Sequence, residues 1–194
     1  MYVARIVTAS LDNMGSSNLC SRWVVYVCVT IYTIWSKRRY TFNTIIGSIS
    51  GAVSPLIGWA AITPANHAIP IGLFLILFIF QMPHTYAIAI RKYDEYKATG
   101  VAMLPVVRGI KVTKKHFLFY TICLLPLPFL IGELGTVFIV IATILNVGWL
   151  VISIRGFTVK DDLKWARLNF LYSVNYVLII FLLVILVTLP VYFG

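Results

Sequence analysis

Six apolar runs, separated by short polar or turn-forming stretches, organise this chain: residues 23–36, 43–63, 67–90, 116–134, 136–154 and 168–193. Their apolar positions are continuous rather than alternating, so they read as helices and not as the roughly ten-residue strands of a membrane barrel. A helix rises about 1.5 Å per residue and the hydrocarbon of a bilayer is about 30 Å thick, so each of the last five runs is long enough to cross it. The first is shorter, and reads as a tilted span or as a stub extended by residues 18–22. The expected fold is an all-α integral membrane protein, a polytopic bundle of about six transmembrane helices. One membrane-embedded domain covers residues 23–194, after a distinct segment at 1–22.

Composition agrees with that reading. Hydrophobic residues make up 60% of the chain, charged residues only 11%, and the mean hydropathy is +0.93; soluble domains carry about 25% charge. The net charge of +10 raises the question of nucleic acid, but the basic residues stand between the apolar runs. Topology and anionic lipid headgroups explain them there, and no nucleic-acid partner is expected. Three follow the first run (Lys37, Arg38, Arg39), seven lie between the third and fourth, and four between the fifth and sixth, whereas residues 64–66 and 133–135 have none. Fourteen of the 16 therefore share one side, which the positive-inside rule makes cytoplasmic in a multi-pass protein of a cell membrane. Both termini then face outward. Residues 1–22 lack the pattern of a cleaved leader, so an outward N-terminus leads us to expect further helices upstream. Cys20, Cys28 and Cys123 have no metal-ligand spacing and read as small apolar residues.

Gly47, Gly51 and Gly58 in the second run permit close helix approach. Pro55, Pro83, Pro126 and Pro128 lie within runs, and each removes a backbone donor. The stretch from Gln81 to Lys115 is richest in chemistry, ending in the longest cytoplasmic loop. Asp94 and Glu95, two of the six acidic residues, stand beside Arg91, Lys92 and Lys97. Carboxylates at the mouth of a bundle can hold Mg²⁺, a hard cation that favours oxygen ligands and substrate phosphates. Adjacent Arg and Lys can take the remaining charge of a diphosphate. The same pattern also suits a solvated positive-inside loop. His84, between Gln81 and Tyr86, lies inside the third run, where a polar group is a functional candidate or a hydrogen-bonded neighbour of another helix. Asn146 and Asn175, with Tyr172 and Tyr176, either line the same cavity or bond between helices. Glycine-rich phosphate loops and nucleophile–base motifs are absent from the sequence.

The string YTIWSKRRYTFNTIIGSISGAVSPLIGWAA resembles a segment of the haem O synthase family of intramembrane prenyltransferases, with Ser54 where that family has a first proline. Met82-Pro83-His84 resembles its Pro-Pro-His, and DEYKATGVAMLPVVRG resembles its second acidic motif followed by Met-Leu-Pro-Val-Val. NVGWL and YSVNYV in the last two runs also fit, and the similarity extends from about Trp23 to the C-terminus. The resemblance implies a nine-helix bundle, of which the six runs match the last six. It implies transfer of a farnesyl group from farnesyl diphosphate to a vinyl group of haem B, with Mg²⁺ accompanying the diphosphate, membrane lipid as surroundings, and haem A synthase or terminal oxidase assembly as partners. Residue by residue, it implies Asp94 and Glu95 as metal and catalytic residues, Arg91 and Lys92 as the basic pair before them, and His84 as the histidine of the preceding helix; with His84, the polar residues Tyr86, Asn146 and Asn175 complete the candidate substrate-binding set. The family's first acidic motif has no counterpart, and Asp12-Asn13 is the nearest pair at 1–22. Loss of one charge-stabilising group commonly costs ~10² to 10³ in rate, so a silent remnant that binds haem or lipid is an alternative. A small transporter is another, which the lack of repeated halves opposes.

Overall fold

The structure is a computed structural model that describes residues 43–60, 67–159 and 161–193. The first apolar run, the segment 1–22, the basic cluster Lys37–Arg39 and the loop at 64–66 lie outside the described residues. Among the described residues every regular element is helical: α1 (Asn43–Ala52), α2 (Ser54–Ala60), α3 (Ala68–Arg91), α4 (Tyr93–Ala98), α5 (Leu104–Arg108), α6 (Ile110–Leu124), α7 (Leu127–Leu130), a 3₁₀ turn at Gly132–Leu134, α8 (Thr136–Arg155) and α9 (Asp162–Phe193). Helices α3, α8 and α9 are each long and apolar enough to cross a membrane, so this is a multi-pass membrane protein. About half of the α3 span is enclosed by the rest of the protein, against 28% for α8 and 22% for α9, which makes α3 the central helix. It packs on α1, α6 and α9, and α8 packs on α6 and α9.

The faces of α8 and α9 are those of a membrane bundle. Val137, Val140, Ile144, Val147, Val151 and Ile154 repeat at three- and four-residue steps and are exposed, an apolar stripe suited to lipid. The opposite stripe, Phe138, Ala142, Asn146, Trp149 and Ser153, is buried and carries the polar groups. In α9 the buried stripe is Trp165, Asn169, Ser173, Tyr176, Ile180 and Leu183. Lipid tails are as apolar as leucine, so polar contacts and close packing, rather than water exclusion, hold such helices together.

Those contacts interlock the two strings in the last runs. Asn146 Nδ2 donates to the Leu124 carbonyl (2.7 Å), which Pro128, lacking an N–H, cannot serve. Trp149 Nε1 donates to Asn169 Oδ1 (3.2 Å), and Tyr172 OH to the Leu145 carbonyl (2.8 Å). The latter reach needs Gly148, because a Cβ there would stand 2.6 Å from the Tyr172 oxygen. Ser54 Oγ likewise donates to the Gly51 carbonyl (3.0 Å), which Pro55 leaves unserved.

Several boundaries differ from those the apolar runs implied. The second run is two helices meeting at Val53, not one. The fourth begins at Ile110, inside what read as loop, and its regular helix stops at Leu124 because Pro126 and Pro128 interrupt the ladder. The sixth begins at Asp162, so Lys164 and Arg167 are helical. The long loop is itself folded: α4 ends in a Schellman motif in which Val101 N donates to Tyr96 O and Gly100 N to Lys97 O. Gly100 at φ 67 supplies the left-handed residue that motif needs. Met103, Leu104 and Pro105 are then buried rather than solvated. Of the three glycines, Gly51 makes the expected close approach, to Gln81, whereas a Cβ at Gly58 would meet nothing within 4 Å.

The described basic segments, at 91–115 and 155–167, do gather at one end. Lys114 Nζ is buried, and donates to the Gly156 carbonyl (2.6 Å) and to Asp162 Oδ1 (2.5 Å), tying the start of α6 to the end of α8 and the start of α9. At the opposite end His67 Nδ1 lies 3.3 Å from Glu133 Oε2.

Two expectations follow from this framework. Asn146→Leu should strand the Leu124 carbonyl and lower stability by roughly 1–2 kcal/mol, read as a lower thermal midpoint in detergent. Unchanged melting would remove Asn146 from its capping role. Asp161 accepts from the Lys164 and Leu163 amides at 3.1 Å, and the Lys164 amide above all, with the Lys164 ammonium and the Leu163 amide, holds its carboxyl below the ordinary value. A depressed carboxylate adds stability above its unfolded-state value and loses it as pH falls through the folded one. The destabilisation caused by Asp161→Ala should thus be present at neutral pH and fade on acidification below about pH 4; a constant difference at all pH values would contradict the cap.

Candidate functional site

At the basic end, the last residue of α3, the first turn of α4 and the first two turns of α9 enclose a cleft of about 260 Å³ lined by Arg91, Lys92, Glu95, Leu163 and Arg167. Helix α3 ends here with a cation in its last turn, and α4 starts with Asp94 and Glu95 in its first, both favourable placements for the helix dipoles. Lys92 Nζ donates to Glu95 Oε2 at 2.8 Å. That bond, with the charge behind it, holds the Lys92 ammonium above the ordinary lysine value. The Arg91 guanidinium lies over the Phe170 ring of α9, 4.7 Å from Cζ to the ring centroid, a cation–π contact.

His84 lies two turns below Arg91 on α3, about 10 Å deeper. Its ring stacks between Phe80 (5.5 Å) and Phe170 (5.3 Å). His84 Nδ1 and Ser173 Oγ are 2.7 Å apart, and the Ser173 hydroxyl already donates to the Phe170 carbonyl at 2.6 Å. The imidazole is therefore the donor to Ser173. A column of Arg91, Phe170, His84 and Phe80 thus leads from the cleft to the packed aromatics Trp149 and Tyr176.

Of the residues singled out from the sequence, Arg91, Lys92 and Glu95 share the cleft. Asp94, adjacent on α4, is exposed and makes no ion pair among the described residues. His84 reaches the cleft only through Phe170. Tyr86 is buried on another face of α3, its ring 6.1 Å from Tyr120 of α6; Tyr120 with Lys115, His116 and Phe119 lines a separate open groove of about 380 Å³. Asn146 is the cap on Leu124, with its Oδ1 buried and without a partner among the described residues. Asn175 is exposed, and its Nδ2 donates to its own helix at the Leu171 carbonyl. Arg167, Leu163 and Phe170 escaped the sequence reading. The one available signal was Arg167 with Phe170 one turn on, next to a basic loop, which the positive-inside expectation already explained.

Residues 19–174 match the UbiA prenyltransferase family, a span that contains every residue of the cleft. Among curated proteins, the chain is 56% identical over 171 residues to a protein of Oceanobacillus iheyensis called protoheme IX farnesyltransferase, covering 88% of this chain and 54% of the relative. Proteins of the same name from a Geobacillus strain and from Bacillus mycoides are 52% and 53% identical over 161 and 164 residues, with 83% and 84% of this chain and 52% and 53% of each relative covered. The chain spans about half the length of the curated relatives it matches. No solved structure matches it.

The His84–Ser173 contact can be weighed by a double-mutant cycle. His84→Leu and Ser173→Ala should together cost less than the sum of the two alone, by roughly 0.5–1.5 kcal/mol in thermal or chemical unfolding. Strict additivity would mean that the two groups do not interact.

Proposed function

Because this chain belongs to the UbiA prenyltransferase family, we propose that it acts in farnesyl transfer from farnesyl diphosphate to a vinyl group of protohaem IX, giving haem O. The cell membrane is its site, with the cleft on the cytoplasmic side. The observation that carries this reading is that Glu95, from the string that resembles the second acidic motif, and Arg91 and Lys92, the basic pair just before it, stand together in one cleft at the basic end of a membrane bundle. The name of the relatives supplies the chemistry, protoheme IX farnesyltransferase.

The reaction asks for a site that stabilises a leaving diphosphate. The allylic C1–O bond of farnesyl diphosphate breaks with both electrons leaving on the diphosphate oxygen. The terminal carbon of the vinyl group donates its π pair to C1, forming the new C–C bond. Water then adds to the cation left beside the porphyrin ring and loses a proton, so that haem B, farnesyl diphosphate and water become haem O and diphosphate. Charge develops on the diphosphate in the first step, where Arg91 can bind it through a fork of N–H donors and Lys92 as a point charge. Placing that step at the membrane boundary keeps the charged leaving group at the aqueous end and lets the isoprenoid lie among apolar helices.

Asp94 and Glu95 are successive residues of α4, so their side chains diverge by about 100° around the helix. Among the described residues no group of three or more His, Cys, Asp or Glu comes together. Mg²⁺ nevertheless commonly takes only one or two carboxylates and completes its shell with water and substrate phosphates. The residues present fit such a cation in that mode: Asp94 is free to hold it, and Glu95 becomes available once Lys92 turns to a phosphate. When bound, the ion would neutralise part of the diphosphate charge.

The test is pigment analysis. Membranes from a host without its own synthase, carrying this chain, receive haem B, farnesyl diphosphate and Mg²⁺, and haem O is sought by mass. A parallel arm co-expresses the part of the Oceanobacillus relative that the chain does not span. Haem O in either arm, reduced ~10²-fold or more by Asp94→Ala or Glu95→Ala, is the expected outcome. No haem O in both arms would reject farnesyl transfer in favour of a chain that binds haem or lipid without turnover.

A further inference from the structure

Arg91 and Arg167 face the same cleft from two helices far apart in the chain, the C-terminus of α3 and the second turn of α9. Neither guanidinium pairs with a carboxylate among the described residues. Glu95 is the acidic residue lining the cleft, and Lys92 already neutralises it. Two uncompensated positive charges therefore look into one small volume, an arrangement that like-charge repulsion disfavours until an anion enters. The geometry of α9 reinforces this. Phe170 follows Arg167 by three residues, so both lie on one face of the helix, and the Phe170 ring lies against the Arg91 guanidinium, 4.7 Å from ring centroid to Cζ. One helix face thus carries its own cation and fixes the opposing one.

We propose that Arg167 binds the diphosphate of the prenyl substrate opposite Arg91, with Phe170 as a positioning residue that orients Arg91, so that α9 forms a wall of the diphosphate site. The assignment rests on reading the chain as a prenyltransferase. Each guanidinium presents a planar fork to one phosphate group, and a diphosphate, with two such groups joined, spans the two forks. A single phosphate would satisfy one fork only.

The experiment uses the full chain in phosphatidylcholine nanodiscs and inorganic diphosphate as the probe, with affinity measured by calorimetry or ³¹P NMR. Arg167→Gln should weaken binding roughly 10- to 100-fold. Arg167→Lys, which keeps the charge and loses the fork, should fall between. Arg108→Gln, which removes an exposed cation outside the cleft, should bind like the parent chain. Phe170→Leu should weaken binding less than Arg167→Gln, and Phe170→Tyr, which keeps the ring, should restore it. Helical circular dichroism and the thermal midpoint distinguish lost binding from lost folding. An Arg167→Gln chain that is folded and binds diphosphate as well as Arg108→Gln does would overturn the proposal, as would a parent chain that binds no diphosphate. Inorganic phosphate bound as tightly as diphosphate would overturn the two-fork site. Loss of diphosphate binding on exchanging the lipid for phosphatidylglycerol would reassign the cleft to a lipid headgroup. The haem O assay separates the two readings. Arg167-dependent binding with no haem O in any arm rejects farnesyl transfer and keeps the site, whereas haem O made at an undiminished rate by Arg167→Gln rejects the site and keeps the transfer.

Discussion

Hydrocarbon offers no hydrogen bonds, so any backbone group freed inside the membrane must be served by the protein itself. That constraint accounts for much of what the helices do to one another. Pro128 frees the Leu124 carbonyl, and Asn146 arrives from α8 to take it. Pro126 frees the Ile122 carbonyl, and the Leu125 amide turns back to it at 3.0 Å in a tighter turn. Pro55 frees the Gly51 carbonyl, and Ser54 donates to it. Ser54, next to that proline, thus supplies a hydroxyl to the carbonyl that the proline frees. At these three prolines the freed carbonyl comes with a partner, and at Pro128 that partner helps fix which helix faces meet.

Which parts of this were legible in the sequence follows from the range of the interactions that decide them. Apolar runs are set by local composition, so the helical class, the central run at 67–90 and the gathering of basic residues at one end could be read directly. Boundaries could not, because they depend on where charged residues are tolerated. Lys114 looked like the edge of a loop, yet it lies within α6, its ammonium met by Gly156 and Asp162 from elements more than forty residues on. The polar motif residues were legible as polar and ambiguous as to purpose. Asn146, Trp149 and Tyr172 turn out to stitch α6, α8 and α9 together, so in this structure they serve packing. Arg91, Lys92 and Glu95 were legible because they are neighbours in sequence. Arg167 and Phe170 were not, because only the antiparallel return of α9 brings them to the same cleft.

The buried Lys114 contact bears on that return. A buried ion pair contributes little net stability, since desolvating both charges offsets most of their attraction, and Asp162 keeps a third of its side chain exposed. What the contact supplies is position. Lys114 holds the carbonyl of Gly156 and the carboxylate of Asp162 in one grip, with the Trp165 ring 5.3 Å beneath the ammonium. Gly156 lets the Trp165 ring lie directly on the backbone, where a Cβ would collide with it, and the indole donates to the Ile152 carbonyl at 3.0 Å. These contacts set both the point at which α9 begins and its rotation about its axis. Leu163 and Arg167 are then delivered to the cleft, and Phe170 to the space between Arg91 and His84.

The cleft is consequently built from two kinds of part with different tolerances. Its α3–α4 side is local: Arg91, Lys92 and Glu95 lie within five residues, and a helix end plus one ion pair is enough to group them. Its α9 side is long-range, correct only if the helix start, its rotation and the aromatic column beneath are all correct. A rotation of one residue about α9, 100°, would carry Arg167 and Phe170 away together. Because they share a face, they are lost or kept as a unit, and the orientation of Arg91 goes with them. The polar seam that satisfies the membrane's demand for hydrogen bonds is therefore also what aligns the charged end of the bundle.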